Sequence, residues 1–456
     1  MLFALPLAIG LNVDIEIDRS PMRTINPDYF LSLALDTSLI RNDWCDINFG
    51  RAVRLAEALA PSYLRLGGLD SDWMIFNRQS TSSQPVKRRK CDMFARGNFE
   101  MTRRQWDQAN WFSTHAKLPF IFDLNMASTL PDGSWNAGNS IKLLDYSSSM
   151  GYRLDFELGN EPNNYRRING SQIAKNYARL REVLQGYPMY RNSKIVGPAI
   201  GTPYSKRFIQ FLRAGGPRLV QAITFHHYYG DGRKAKLSAF VNPAVMDKLK
   251  PWIRKATSLV KKYSRGMKRK PQIWLGETST MFHGGAKGLS DRYVAGFMWM
   301  DKLGLSAQMG LDVVARQSFY LGNYALIDRK SMPNPDYWLS LLFKEVVGSE
   351  VLSVKLRVSD KLDKFVRFYA HSARRHNVTV YGMNLSNTTA LVRFGSHKGP
   401  VLQYLLSPPR RDLRSKQVLL NDKKLHFNGY QVPALKGRII EQPVQIPPKT
   451  FGFWSF

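Results

Sequence analysis

The stretch LDFELGNEP at residues 154–162 decides the reading of this chain. Its apolar half reads as a short buried strand, and Gly159, Asn160, Glu161 and Pro162 end it abruptly. A carboxylate directly after a strand is where a (β/α)8 barrel keeps its chemistry, because the loops that follow the strands converge on one face. A second segment repeats the form: QIWLGET at 272–278 is an apolar strand ending in Glu277, 116 residues after Glu161. Glu161 alone also reads as an acid favoured by a helix N-terminus. Two such glutamates on two strands read as a pair. Cleaving a glycoside takes two carboxyl groups, one to protonate the leaving oxygen and one to attack or to activate water.

Outward from these segments, short apolar strands recur at 32–35, 63–66, 120–124, 154–158, 194–196, 222–225, 272–275 and 313–318. Between them, apolar residues recur near a 3.6-residue period at 50–59, 102–115, 140–150, 172–184, 206–214, 244–264 and 291–304, the pattern of helices. Eight strands alternating with helices spell an α/β fold, a (β/α)8 TIM barrel over 26–345. From Val346 the texture changes to strands and turns, at 365–371, 377–385, 390–394, 417–420 and 449–456, so 346–456 reads as a C-terminal β-sandwich. Residues 11–18 alternate apolar and polar, and the segment 11–25 is expected to join that sandwich as an N-terminal strand. Residues 1–10 are apolar but lack a leading positive charge, and read equally as the remnant of a signal peptide or as a buried first strand. RQSTSSQPVKRRK at 78–90 is expected to be an exposed loop, opening a short basic linker over 78–102. Its basic run at 87–90 fits a protease site, a glycan-binding patch or a solvated tail.

Apolar residues make up 44% of the 456 and aromatics 12%, which excludes a disordered chain. The charge balance is lopsided: 66 Lys and Arg against 35 Asp and Glu leave +31, so an anionic partner is expected. Nucleic acid is disfavoured, since no zinc-finger spacing, RNP-like aromatic signature or heptad-backed basic helix is present. No run is long and apolar enough to cross a membrane. With only Cys45 and Cys91, one disulfide can form and a cysteine-based zinc site cannot. The pair His226–His227 invites a metal reading. Neighbours on a strand face opposite sides, however, and no carboxylate follows at ligand spacing. Sequons stand at Asn169, Asn377, Asn384 and Asn387, which fits a secreted, glycosylated chain.

Longer words narrow the family. YLRLGGLDSDWMIFN at 63–77, ELGNEPN at 157–163, HHYY at 226–229, WLGETS at 274–279, SDRYVAGFMWMDKLGLSA at 290–307 and NPDYWLSLLFKEVVG at 334–348 resemble heparanase and its relatives, within the clan of retaining (β/α)8 glycosidases. The resemblance runs from about residue 11 to 456. It implies a retaining endo-β-glucuronidase with Glu161 as acid/base, Glu277 as nucleophile and Asn160 binding the sugar. It implies that His226, Tyr228 and Arg233 belong to the cleft, that Gly284, Gly285 and Tyr324 hold the glucuronate carboxylate, and that Asp36 and Gln317 are further cleft positions. Asp123 and Asn125, ending the third strand, are weaker candidates. Arg167 is expected at the substrate, and Arg103, Arg104, Lys206, Arg207 and Arg213 are expected as a basic rim for a polyanion.

The implied substrate is an acidic polysaccharide, heparan sulfate first and hyaluronan as the alternative, with no cofactor or metal. The implied setting is extracellular or lysosomal, with peripheral attachment to cell surfaces through proteoglycans. A non-catalytic glycan-binding relative is a rival reading, against which both intact glutamates speak. The sequence departs from the family at His283, in the wider spacing of cations after Gly201, and in the shortness of the linker. Heparanases carry a long excised segment there, so this chain is expected to act uncut.

Overall fold

A computed structural model describes residues 10–79, 91, 97–165, 168–359, 363–395 and 397–456. The apolar start before Gly10, most of the 78–102 linker and Arg167 lie outside the described residues.

The eight strands the sequence announces are present as Leu31–Asp36, Leu64–Gly67, Phe120–Leu124, Asp155–Leu158, Val196–Ile200, Ala222–His227, Gln272–Thr278 and Val313–Arg316. We number them one to eight. They pair in parallel in the order four, three, two, one, eight, seven, six, five. A parallel bridge between Phe156 and Ile195 and a bond from the Glu161 N–H to the Ala199 carbonyl (3.0 Å) join strands four and five and close the ring. Helices follow at Phe49–Glu57, Arg103–His115, Gly138–Ser149, Gly170–Gln185, Lys206–Arg213, Leu249–Tyr263, Ala295–Gln308 and Pro335–Val346. The last was not among the expected helices. Its residues are buried almost all round, which erases the one-sided period that marks a surface helix.

Inside the barrel, side chains stack in layers. Ile121, Val196, Ala222, Trp274 and Val313 fill the lower layer, with Tyr63 packed against them. Above it the filling turns polar, around Arg65, Glu157 and Thr224.

The chain beyond Val346 forms one large sheet, and Leu11–Thr24 lies within it. That strand pairs antiparallel with Val347–Val358 and parallel with Ala390–Phe394. The sheet curls over a core of its own, in which Phe394 meets Trp454. Alternation assigns each face: Phe368, Val380 and Trp454 turn into that core, while Tyr369, Tyr381 and Phe453 turn toward the barrel.

Helices Ala295–Gln308 and Pro335–Val346 are sandwiched between barrel and sheet. Gly304 permits the contact, since a Cβ there would stand 2.3 Å from the Tyr369 ring. An ion pair pins the same junction: Arg367 Nε lies 2.5 Å from Asp301 Oδ1, which also accepts from the Tyr369 hydroxyl, and Arg367 Nη2 reaches Asp247 at 2.7 Å. Burial raises the Asp301 carboxyl above its ordinary value, and Arg367 opposes that rise. Arg367→Leu leaves this carboxyl buried without its counter-charge and is expected to cost about 3–5 kcal/mol. Thermal melting checks it: Tm should fall in Arg367→Leu and recover largely when Asp301→Leu is added. A double variant no more stable than the single one contradicts the account.

Candidate active site

The site is built around a guanidinium on the barrel axis. Arg65, on strand two, is 3% exposed. Its Nε donates to Glu157 Oε2 (2.5 Å), its Nη1 to Glu277 Oε2 (2.9 Å) and its Nη2 to Asn160 Oδ1 (2.9 Å). Burial alone would lower its pKa, but the carboxylates of Glu157 and Glu277 outweigh burial and raise it, so the cation is permanent. One rigid fork thus fixes groups from strands four and seven at once.

Glu277 reaches the barrel axis through a break in register. Leu275 is opposite Phe225, but Glu277 is opposite His226, so Gly276 is an extra residue in strand seven. Strict alternation after Trp274 would turn Glu277 outward; the bulge re-aims it inward. Its Oε1 accepts from the Tyr228 hydroxyl at 2.8 Å. Burial would raise the Glu277 carboxyl, but the charges of His226 and Arg65 and the bonds from Tyr228 and Arg65 outweigh it and hold the group below its ordinary value. Burial, with Glu277 beside it, drives the Tyr228 phenol well above 10, which keeps it a donor.

Glu161 stands at the end of a sharp turn. Gly159 has φ +76° and Glu161 φ +48°, and a Cβ on Gly159 would lie 2.7 Å from Met126. A left-handed glutamate is uncommon and persists where its surroundings fix it. Here Arg207 supplies a brace, its guanidinium donating to the carbonyls of Asn163 and Tyr165 just beyond Glu161. Asp72 supplies another, accepting from the Asn160 N–H (3.1 Å) and the Tyr165 hydroxyl. Burial pushes the Asp72 carboxyl up to about 7 despite these bonds. Glu161 Oε1 and His226 Nδ1 are 3.0 Å apart, a bond in which imidazole or carboxyl can carry the proton, and Asn164 Nδ2 donates to Oε2 at 3.2 Å.

Glu161, Asn160, Glu277, Tyr228, Asp36, Gln317, Tyr324, Gly284 and Arg233 line one cleft of about 1030 Å³ at the C-terminal ends of the strands. Asp36 accepts from Gln317 Nε2 (2.9 Å) and the Ser38 N–H (2.9 Å), and burial pushes its carboxyl up to about 7. The rings of Tyr324 and Tyr228 stack at 6.3 Å. Gly284 and Gly285 have φ +74° and +85°, and a Cβ on Gly285 would stand 2.8 Å from the Tyr324 nitrogen, so only glycine permits that approach. Arg233 is exposed and paired with Asp231, which His283 also meets at 3.0 Å. In the described structure His226 Nε2 and Gln317 Oε1 are buried without a hydrogen-bond partner.

The structure corrects the basic rim. Arg207 is bound to the loop after Glu161 and is no rim cation. Arg213 is in the last turn of helix Lys206–Arg213, roughly 10 Å along the axis from Lys206, which alone of the three is exposed at the end nearest the cleft. Arg103 and Arg104 line a separate groove on the outer face of helix Arg103–His115, and Arg104 pairs with Asp43 at 2.6 Å. Asn384 is also corrected as a glycan acceptor. It is fully buried and its amide donates to the Thr388, Ile446 and Pro447 carbonyls, whereas Asn169, Asn377 and Asn387 are exposed. Asp123 is buried beneath the cleft, accepting from Ser71, and Asn125 donates to the Met74 carbonyl.

Arg65, Glu157 and Asp72 escaped the sequence reading. A charged residue inside a four-residue strand is a faint signal, though Arg65 flanked by Leu64 and Leu66 already marks a cation facing a barrel interior. Glu161, His226 and Glu277 bring donor atoms within 4.8 Å of one another, a spacing that a metal ion could also use. Both Glu277 oxygens, however, already accept bonds, one from a fixed cation that would repel a metal ion. The arrangement suits paired carboxylates at work on a bond between them.

Comparison with known proteins agrees with this geometry. The sequence is 35% identical to heparanase from Mus musculus over 97% of this chain and 92% of that protein. It is 34% identical to inactive heparanase-2 from Homo sapiens (96% and 86% covered) and 30% identical to a hyaluronoglucuronidase from Hirudo nipponia (98% and 97%). In fold it is similar to a 4-O-α-L-rhamnosyl-β-D-glucuronidase from Fusarium oxysporum 12S, with a TM-score of 0.69 at 13% identity, covering 97% of this chain and all of the other. Residues 27–304 match the N-terminal domain of glycosyl hydrolase family 79. With that match across the barrel and relatives aligned over nearly its whole length, the chain belongs to glycosyl hydrolase family 79.

Proposed function

We propose that this protein is a retaining endo-β-glucuronidase that cuts internal glucuronide bonds of glycosaminoglycans, with heparan sulfate its substrate class. The observation that carries the reading is the carboxylate pair. Oxygens of Glu161 and Glu277 approach within 4.8 Å across the cleft floor. Oxygens that near place both carboxyl groups beside one glycosidic bond, and the retaining reading expects the carboxyl carbons themselves to stand about 5–5.5 Å apart. Glu277, kept ionised, attacks the anomeric carbon while Glu161 delivers its proton to the glycosidic oxygen. The C–O bond to the leaving chain breaks and a glycosyl ester on Glu277 forms. Glu161, now a carboxylate, takes a proton from water, which attacks the same carbon and frees Glu277 with net retention. Asn160, with Oδ1 held by Arg65, is left its amide N–H groups for the sugar 2-hydroxyl. Gly284, Gly285 and Tyr324 are the proposed seat of the glucuronate carboxylate.

The net charge of +31 supports a sulfated polyanion. Hyaluronan is the second reading, favoured by the short linker and by the similarity to a hyaluronoglucuronidase. A secreted protein, reaching matrix and lysosomes and touching cell surfaces through proteoglycans, is supported by the Cys45–Cys91 disulfide and by three exposed sequons. Among the described residues no helix is long and apolar enough to cross a membrane.

A digestion panel tests the activity: heparan sulfate should be shortened to discrete oligosaccharides faster than hyaluronan or chondroitin, and faster cleavage of hyaluronan overturns the substrate assignment. Glu277→Ala should abolish turnover, with azide restoring some of it through a product of inverted anomeric configuration. Glu161→Ala should cost about 10²–10⁴-fold on substrates whose leaving group needs a proton. Azide rescue with inversion in Glu161→Ala but not in Glu277→Ala reverses the two roles.

Asp36 and Asp72 also set a pH dependence. Each has a folded pKa of about 7, above the ordinary 3.8, so between these values the folded chain binds more protons than the unfolded one. Their contribution to stability is then greatest below about pH 4 and falls as pH rises toward 7. Melting at pH 5 and 7.5 should give the higher Tm at pH 5, and Asp36→Asn should narrow the gap. An equal gap in that variant removes Asp36 from the account.

A further inference from the structure

A second hollow of about 480 Å³ adjoins the catalytic cleft, and His283 and Gly284 line both. It lies beyond the proposed seat of the reacting glucuronate. Its walls come from loops after strands seven and eight, including Asn323, Arg329 and Lys330, together with Cys91 of the linker and Lys416 from the second domain. Glu161, which must face the leaving chain, follows strand four, and in the ring strands four and eight stand on opposite sides. A polysaccharide crossing the cleft therefore has its leaving half on the side of strands four and five. On the opposite side Gly284, which lines both spaces, opens the cleft into this hollow.

The charges of the hollow are unevenly spent. Asp328 is committed to its own turn, where Oδ1 accepts from the N–H groups of Lys330 (2.9 Å) and Met332 (3.1 Å). Asp291 Oδ1 accepts from Arg292 (3.2 Å), and Lys416 lies 3.7 Å from each of these two aspartates. Arg329 and Lys330, carried outward on the Asp328 turn, are exposed, and among the described residues neither pairs with a carboxylate. The acidic groups are thus neutralised within the wall while two cations face solvent at the mouth. Elsewhere round the cleft, Arg233 is spent on Asp231 and Arg207 on backbone carbonyls.

We propose that this hollow is a distal subsite for the non-reducing side of the substrate, in which Arg329 and Lys330 bind sulfate or carboxylate groups of sugars beyond the glucuronate being cut. The inference rests on the endo-glucuronidase reading for its direction along the chain. Its ligand class, a repeating polyanion long enough to pass Gly284, follows from the charges and the shared wall.

The double variant Arg329→Gln/Lys330→Gln is the test, because neither residue touches the reacting groups. Size-fractionated heparan sulfate oligosaccharides, assayed for equilibrium binding and for hydrolysis, should gain affinity with length in the wild type. The variant should lose about five- to ten-fold for the longer ones, with a shallower salt dependence. Turnover of a short glucuronide with a small leaving group should stay within about two-fold of wild type. Unchanged binding of long oligosaccharides overturns the subsite, as does an equal loss on the short glucuronide. Wild-type protein that binds these oligosaccharides with the expected length dependence but hydrolyses none of them leaves the subsite standing and overturns the enzymatic reading.

Discussion

The contact on which the rest depends is the Arg65 fork. A buried guanidinium is costly to desolvate, and the cost is met only when each edge finds an acceptor in good geometry. Here Glu157, Glu277 and Asn160 each take one bond. Because these acceptors sit on strands four and seven and in the loop after strand four, the fork ties the two catalytic strands to strand two through the barrel interior. Withdraw the cation and two buried carboxylates face each other with Asp123 below them. Asp123 survives there because burial and the neighbouring Glu157 drive its pKa well above the ordinary carboxylate value. The polar middle layer of the barrel therefore has both a structural and a chemical reason to exist.

Two local irregularities convert that frame into a reactive pair. The extra residue at Gly276 turns Glu277 toward the axis, and the left-handed turn at Gly159–Glu161 lifts the other carboxyl out to face it. Neither is stable by itself. The first is held by Arg65 and Tyr228, the second by Asp72, Arg207 and the closing bond to Ala199. His226 sits under both and reaches Glu161 with Nδ1. The surroundings of the two glutamates differ: the Glu277 side chain is 11% exposed, among cations and donors, and the Glu161 side chain is 30% exposed, to the cleft.

Much of this was legible from the residues. Short apolar runs marked the barrel strands, the fifth so far displaced that only Val196 is shared with the observed Val196–Ile200, and two of the strand ends carried the glutamates. The alternation at the N-terminus foretold a strand now seen pairing with Val347–Val358 and Ala390–Phe394. The failures have physical reasons. Helix Pro335–Val346 lies at the junction of barrel and sheet, where burial on nearly all sides removes periodicity. Arg207 looked like a rim cation because a sequence does not say which carbonyls a guanidinium will find. Asn384 looked like an acceptor for a glycan because a sequon does not reveal that its amide is already spent inside the second core. Arg65 was quoted within a motif yet not singled out, since its meaning depends on which way a strand residue points.

In the proposed mechanism Glu277 forms a covalent bond to the sugar while Glu161 handles the proton. The most direct test is to trap that bond with a 2-deoxy-2-fluoroglucuronosyl fluoride, whose fluorine at the second carbon slows release of the sugar, and to map the attached mass by peptide sequencing. The account predicts one glycosyl group per chain, on Glu277, together with loss of activity. A label on any other residue, or no label while the untreated enzyme releases product of inverted configuration, would contradict it.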